Sequence, residues 1–197
     1  LFVMFGTAEA HHSNPLKIAI SRFKREGGRF VSVNPVRTGY SAIADEWLPV
    51  RPGTDGLLAL AMVHVLLANE LFDWEYLVRY TNAPWLVVQT PGQPGDGLFL
   101  RDAEGNPQVW DQASGSFASG MAGDVAPALF GEFTAADGRP VKTVMSLVAE
   151  RYLDPRYAPA AVAGQCGIEA ETIERIAREM AHVAFQETIL SAAEWTD

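Results

Sequence analysis

Three short stretches rich in Gly, Pro, Thr, Asn and Asp hold the chemistry this sequence can offer. Gly6 permits close backbone approach, and the peptide N–H groups after it, with the Thr7 hydroxyl, can receive a phosphate near a helix N-terminus at Asn14. An ordinary strand-to-helix turn uses the same residues. The spacing is neither Gly-x-Gly-x-x-Gly nor the Gly-x-x-x-x-Gly-Lys of a P-loop. Asn34 stands at the tip of a second apolar run, where NAD-binding folds place an acid for a ribose hydroxyl, so a conventional NAD site is disfavoured. Arg37 beside it can pair with a phosphate or carboxylate, or stay solvated. Asp55 follows the tight Pro52-Gly53-Thr54 turn. Its carboxylate can accept two parallel N–H bonds from a guanine edge, and the same position suits a helix N-cap.

The remaining reactive side chains do not assemble. His11 and His12 are adjacent, cannot easily converge on one metal, and read as a solvated loop. His64 lies in an apolar run as a core or interface residue, and His182 ends an exposed helix. Cys166, between Gly164 and Gly167, is a candidate thiol without a basic neighbour. The acid pair Asp45-Glu46 reads as a solvated turn. No Ser/His/Asp arrangement has helpful local context, so the sequence offers no catalytic residue and no metal ligand.

The elements needed to carry the three loops are legible. Leu1–Phe5 is an apolar strand that starts abruptly, which predicts that the chain is an interior segment of something longer; Glu187–Ala193 begins another strand-like run. Asn14-Pro15 opens a helix with Leu16, Ala19, Ile20 and Phe23 on one face, stopped by Gly27-Gly28. Phe30–Val33 is a second strand, making a βαβ crossover and hence a parallel sheet covered on both sides. Trp47–Val50 is a third extended segment, and a helix apolar almost all round runs from Thr54 or Asp55 to about Asn69. A shorter helix covers Asp73–Tyr80. Residues Ala83–Pro140 turn rich in Gly, Pro, Asp and Ser, and predict a loop-rich insertion with a hairpin of exposed strands, Leu98–Leu100 and Gln108–Trp110, around Glu104–Pro107. Helical periodicity returns at Val141–Arg151 and at Glu169–Val183, where Ile173, Ile176, Ala177, Met180 and Ala181 share a stripe. The expectation is one α/β domain over residues 1–197.

Composition narrows the class. At 48% hydrophobic, the 197 residues can fill a core, which excludes disorder. A net charge of -9 argues against a nucleic-acid partner. The single cysteine excludes an internal disulfide framework and an iron–sulfur cluster held by this segment. The longest membrane candidate, Leu57–Leu67, falls short of the roughly 18–20 apolar residues of a span, so no membrane insertion is expected.

Met4–Pro15, Val33–Leu67 and Val162–Ala181 resemble, in order and spacing, the molybdopterin oxidoreductases of the dimethyl-sulfoxide-reductase superfamily. Ala44-Asp45-Glu46-Trp47-Leu48-Pro49 through Pro52-Gly53-Thr54-Asp55 is the most specific run, and Gly167–Arg178 matches the family's closing helix. The resemblance implies a Rossmann-like domain gripping one of two molybdopterin guanine dinucleotides (bis-MGD, with molybdenum or tungsten). By position, Gly6, Thr7, Ala8 and Glu9 would approach the diphosphate and pterin. Asn34, Pro35, Val36, Arg37 and Thr38 would surround the guanosine, and Asp55 would read the guanine edge with Gly53 and Thr54 shaping its turn. Three positions depart from the pattern: Ala8 stands for the usual Asn, Asn34 for the usual Asp, and Arg37 is displaced by one from the usual Arg.

The family's metal ligand and iron–sulfur cysteines lie outside the matched segments, and Cys166 matches none of them. The resemblance therefore implies a parent enzyme of bacterial type, cytoplasmic or periplasmic, transferring electron pairs or oxygen atoms. An iron–sulfur cluster would sit elsewhere in it, and its partners would be other domains of the same chain and an electron-transfer subunit. This chain alone is expected to be inactive. The alternative is a cofactor-free scaffold resembling the large iron–sulfur subunit of respiratory NADH dehydrogenase.

Overall fold

The computed structural model describes residues 1–6, 15–37 and 39–187 of the chain. In chain order, the first elements are β1 (Phe2–Phe5), α1 (Pro15–Arg25), β2 (Phe30–Val33), β3 (Glu46–Leu48), α2 (Asp55–Ala68) and α3 (Trp74–Tyr80). There follow β4 (Leu86–Val88), β5 (Gln108–Asp111), β6 (Ser116–Ser119), β7 (Glu132–Thr134) and β8 (Pro140–Thr143). The chain closes with α4 (Val144–Tyr152), a 3-10 turn at Pro155–Tyr157, α5 (Pro159–Cys166) and α6 (Ala170–Gln186). These form two compact units, Leu1–Leu71 with Leu153–Asp197, and Phe72–Tyr152.

In the first unit β1, β2 and β3 make a parallel sheet in that order, with Phe2 opposite Phe30 and Val31 opposite Glu46. Successive side chains point to opposite faces. Val31, Val33 and Leu48 therefore meet Leu58, Ala61, Met62 and Val65 of α2, together with residues of α5 and α6. Phe30 and Met4 turn the other way, toward Ile20 of α1 and Tyr40, and Phe2 stacks on Phe30 at 5.4 Å. The double cover expected from the βαβ reading is present, and it explains why α2 is so apolar. It packs on the sheet, α5 and α6 together. The stripe on α6 is narrower than its period suggests: Ala181 is buried, whereas Met180 stays 39% exposed.

Cys166 is fully buried in the same cluster, its Sγ beside the Ala163 and Ile168 carbonyls, so it is a packing residue and not an accessible thiol. Gly167 ends α5 in the left-handed region at φ 78°. A Cβ there would also press on the Arg51 side chain at 3.3 Å, so glycine answers two constraints at once.

Asp45 and Glu46 are not a solvated turn. Asp45 pairs with Lys24 and accepts from the Phe30 N–H at 2.9 Å; the Lys24 ammonium, then the peptide N–H, hold its carboxyl below the usual range. Glu46 opens β3 and joins Arg29 and Arg175, while Glu179 joins Arg29, so four charges tie the amino ends of β2 and β3 to α6. Adjacent acids in sequence point apart once the segment is a strand, which is why their pairing could not be read locally.

The second unit has its own core: Leu86, Val88, Leu100, Ala135 and Val141, with Phe117 and Phe133 packed against them. Its sheet is antiparallel, in the order β4-β8-β7. The Glu104–Pro107 turn forms, with Asp102 accepting from the Asn106 N–H at 2.7 Å. The flanking segments meet only at an isolated bridge between Arg101 and Pro107, and the ladder of Gln108–Asp111 is with Ser116–Ser119. Asp111 decides this pairing. Its carboxylate accepts from the N–H groups of Ala113, Ser114 and Ala126 and fastens the next turn. Leu100 and Val109 are buried, so the strands expected to be exposed are not merely excursions. Residues 141–143 also differ from their helical reading. Val141 and Thr143 are buried two apart on β8, and the Thr143 hydroxyl accepts from the Ser146 N–H to start α4.

Two outcomes are expected. Phe30→Ala should lose about 3–5 kcal/mol in chemical unfolding, the range for an aromatic deleted from a packed core. The Asp111 carboxyl is held down to about 2, chiefly by the Ser114 hydroxyl and then by the Ala126 N–H. Its stabilisation is thus present above the ordinary carboxylate range, near 4, and lost as pH falls through about 2. Asp111→Asn should be less stable than wild type at pH 6, and unfolding curves at lower pH should show the gap closing between about pH 4 and about pH 2.

Candidate functional site

Loops leaving the carboxyl ends of neighbouring parallel strands share one edge of the sheet. The order β1-β2-β3 brings the turns after Phe5, Val33 and Leu48 there together. Each turn is tied to the next strand by its backbone. Gly6 donates to the Val33 carbonyl at 3.0 Å, and Asn34 donates to the Leu48 carbonyl at 3.1 Å.

Gly6 has φ 36°, and a Cβ on it would meet nothing within 4 Å. Thr7, Ala8 and Glu9 lie outside the described residues, as do His11, His12, the Asn14 cap, Thr38 and the strand-like run after Glu187. The Asn34 side chain is turned on its own loop, its Oδ1 accepting from the Val36 N–H at 3.0 Å. That leaves the amide Nδ2 as its unengaged end, a donor where an acid would have an acceptor. Pro35, Val36 and Arg37 are exposed.

The third turn is built from the backbone outward. The Arg51 N–H donates to the Cys166 carbonyl at 2.8 Å, and its guanidinium to the Gly164 carbonyl at 2.7 Å. Thr54 returns both its N–H and its hydroxyl to the Arg51 carbonyl. Gly53 supplies the left-handed step at φ 82°, again with open space where a Cβ would stand. Thr54 holds the N-cap position of α2 without a side-chain cap bond. Asp55 is the first helical residue and not the N-cap. It is half-buried, and among the described residues no hydrogen bond ends on its carboxylate. Its acidic side chain stands in the first turn of α2, the end of a helix where a negative group is commonly placed.

Sequence reasoning counted Arg51 in the third turn without seeing its anchor on Gly164 and Cys166, and it missed Trp47 as part of this edge. The Trp47 indole N–H donates to the Asn34 carbonyl at 2.7 Å, and the Arg37 guanidinium lies over its ring at 5.7 Å. The available signal was alternation. Leu48 faces the core, so Trp47 must face the other side, in register with Ser32.

No group of three His, Cys, Asp or Glu that could hold a metal occurs among the described residues, and none of their helices is long and apolar enough to cross a membrane. His64 is half-buried on α2, and His182 is exposed on α6. A separate cleft of about 940 Å³ lies within the second unit, lined by Trp85, Tyr80, Met121 and Pro127 among others. It contains none of the residues singled out above, and its volume alone gives it no chemistry.

No protein-family profile matches the chain. Over its whole length it is 48% identical to a sulfite dehydrogenase component of Allochromatium vinosum, covering 21% of that protein. Over 82% of its length it is 33% identical to the alpha component of dimethylsulfide dehydrogenase of Rhodovulum sulfidophilum, covering 20% of that protein. Among solved structures, acetylene hydratase from Pelobacter acetylenicus aligns with 93% of this chain and 16% of its own, with a TM-score of 0.51 and 18% identity, a likeness of fold. The chain spans about a fifth of the length of the curated relatives it matches. By these relationships it belongs to the molybdopterin oxidoreductases of the dimethyl-sulfoxide-reductase superfamily.

Proposed function

We propose that the carboxyl edge of the first unit binds one molybdopterin guanine dinucleotide within a larger oxidoreductase. The observation that carries this reading is the Asp55 carboxylate. It is half-buried at the start of α2, without a described hydrogen-bond partner, on the edge that also presents Gly6 and Asn34–Arg37. The donor set fits the group. A carboxylate suits the paired N–H groups of a guanine edge, and a guanidinium suits phosphate. The vacant Cβ positions at Gly6, Gly53 and Gly56 leave room for close approach.

When bound, the dinucleotide supplies the dithiolene that holds molybdenum or tungsten for electron-pair or oxygen-atom transfer. This chain's residues bind and orient it. Gly6, Thr7, Ala8 and Glu9 serve its diphosphate and pterin side, Asn34 to Thr38 its guanosine, and Gly53, Thr54 and Asp55 its base. The metal ligand and any iron–sulfur cluster belong outside this segment, in keeping with a buried Cys166. Both relatives are named as one component of a multi-component dehydrogenase, which supports a separate electron-transfer partner for the parent protein. The cofactor-free scaffold reading draws no support from these relatives.

The test is made on the full-length protein from a host that makes the cofactor. Asp55→Ala should lower metal content and releasable GMP about a hundredfold, the loss of a paired charge-assisted contact, while the apoprotein melts near the wild-type temperature. Unchanged content overturns the assignment. Gly53→Ala should cost about 1–2 kcal/mol in the apoprotein through its left-handed backbone, read as a lowered Tm.

A further inference from the structure

The turn after β2 is held more firmly than a surface loop needs to be. Asn34 gives its N–H to Leu48, its carbonyl to the Trp47 indole and its side-chain oxygen to Val36. Three of its four polar functions are thus spent before any ligand arrives. Arg37, three residues on, is exposed and forms no ion pair or hydrogen bond with the described residues. Its described partner is the face of the same Trp47 ring. One side chain therefore fixes the turn through its N–H and supports a cation through its π face, leaving the guanidinium donors unspent at the sheet edge.

We infer that Trp47 is the positioning residue of this edge, holding the Arg37 guanidinium, within the guanosine-binding turn, as a preset contact for the phosphate that adjoins the guanosine. A guanidinium held over the face of a ring keeps donors free for a ligand, so it binds phosphate with less ordering on contact. Trp47 itself touches no ligand in this arrangement. It acts through Arg37 and through the Asn34 carbonyl.

This inference rests on the dinucleotide reading above, and its test separates the two. In the full-length protein purified with cofactor, the loss of bound nucleotide is followed as GMP released from the retained fraction after dialysis at two salt concentrations. Arg37→Gln should speed loss about tenfold and flatten its salt dependence, as expected when a charge-assisted phosphate contact is removed. Trp47→Phe keeps a ring beneath Arg37, whereas Trp47→Leu does not. Trp47→Leu should lose nucleotide about threefold faster than Trp47→Phe, and this gap should vanish in the Arg37→Gln background. A gap of equal size in both backgrounds overturns the positioning role, as does retention and salt dependence unaltered by Arg37→Gln. A wild-type protein without releasable GMP overturns the proposed function itself.

Discussion

The candidate site depends on the register of three very short parallel strands, and burial on two faces fixes that register. Val31, Val33 and Leu48 are committed to the α2, α5 and α6 side, and Phe30 and Met4 to the α1 side. A slip of one residue would exchange these sets, putting Ser32 and Trp47 into the larger core. With β3 only three residues long, hydrogen bonds alone could not hold such a sheet; the helices clamp it. The turns after Phe5, Val33 and Leu48 inherit their alignment from that clamp.

The two ends of the sheet are finished differently. At the amino ends, Arg29, Glu46, Arg175 and Glu179 form a joined set of charges, each partly exposed, so the set adds orientation more than stability. At the carboxyl ends, described contacts are mostly backbone to backbone, and the side chains of Arg37 and Asp55 are left without charge partners among the described residues. Polarity that is satisfied at one edge and open at the other is the arrangement expected when only one edge meets a ligand.

Much of this was legible in the amino-acid sequence because its signals are local. The β1–α1–β2 crossover follows from two apolar runs around a helical period, and α2 from a long apolar stretch behind Pro-Gly-Thr. What could not be read depends on partners far along the chain. The ladder of Gln108–Asp111 was settled by Asp111 capping a later turn, not by the obvious Gly-Asn turn before it. Residues 141–143 satisfy helical spacing and strand alternation equally, and the sheet chose between them. Trp47 looked like one aromatic in a strand, because the Asn34 carbonyl that accepts its indole N–H lies thirteen residues away.

The Arg51 anchor has a consequence for the order of events during synthesis. The turn that presents Asp55 is fastened to carbonyls at Gly164 and Cys166, more than a hundred residues later, and Phe72–Tyr152 must be made in between. The nascent chain thus carries α2 without its backing helices while the second unit is translated, an apolar surface exposed until α5 and α6 emerge. Completion of this edge is therefore a late step, timed by residues more than a hundred positions further on and not by the residues that form it.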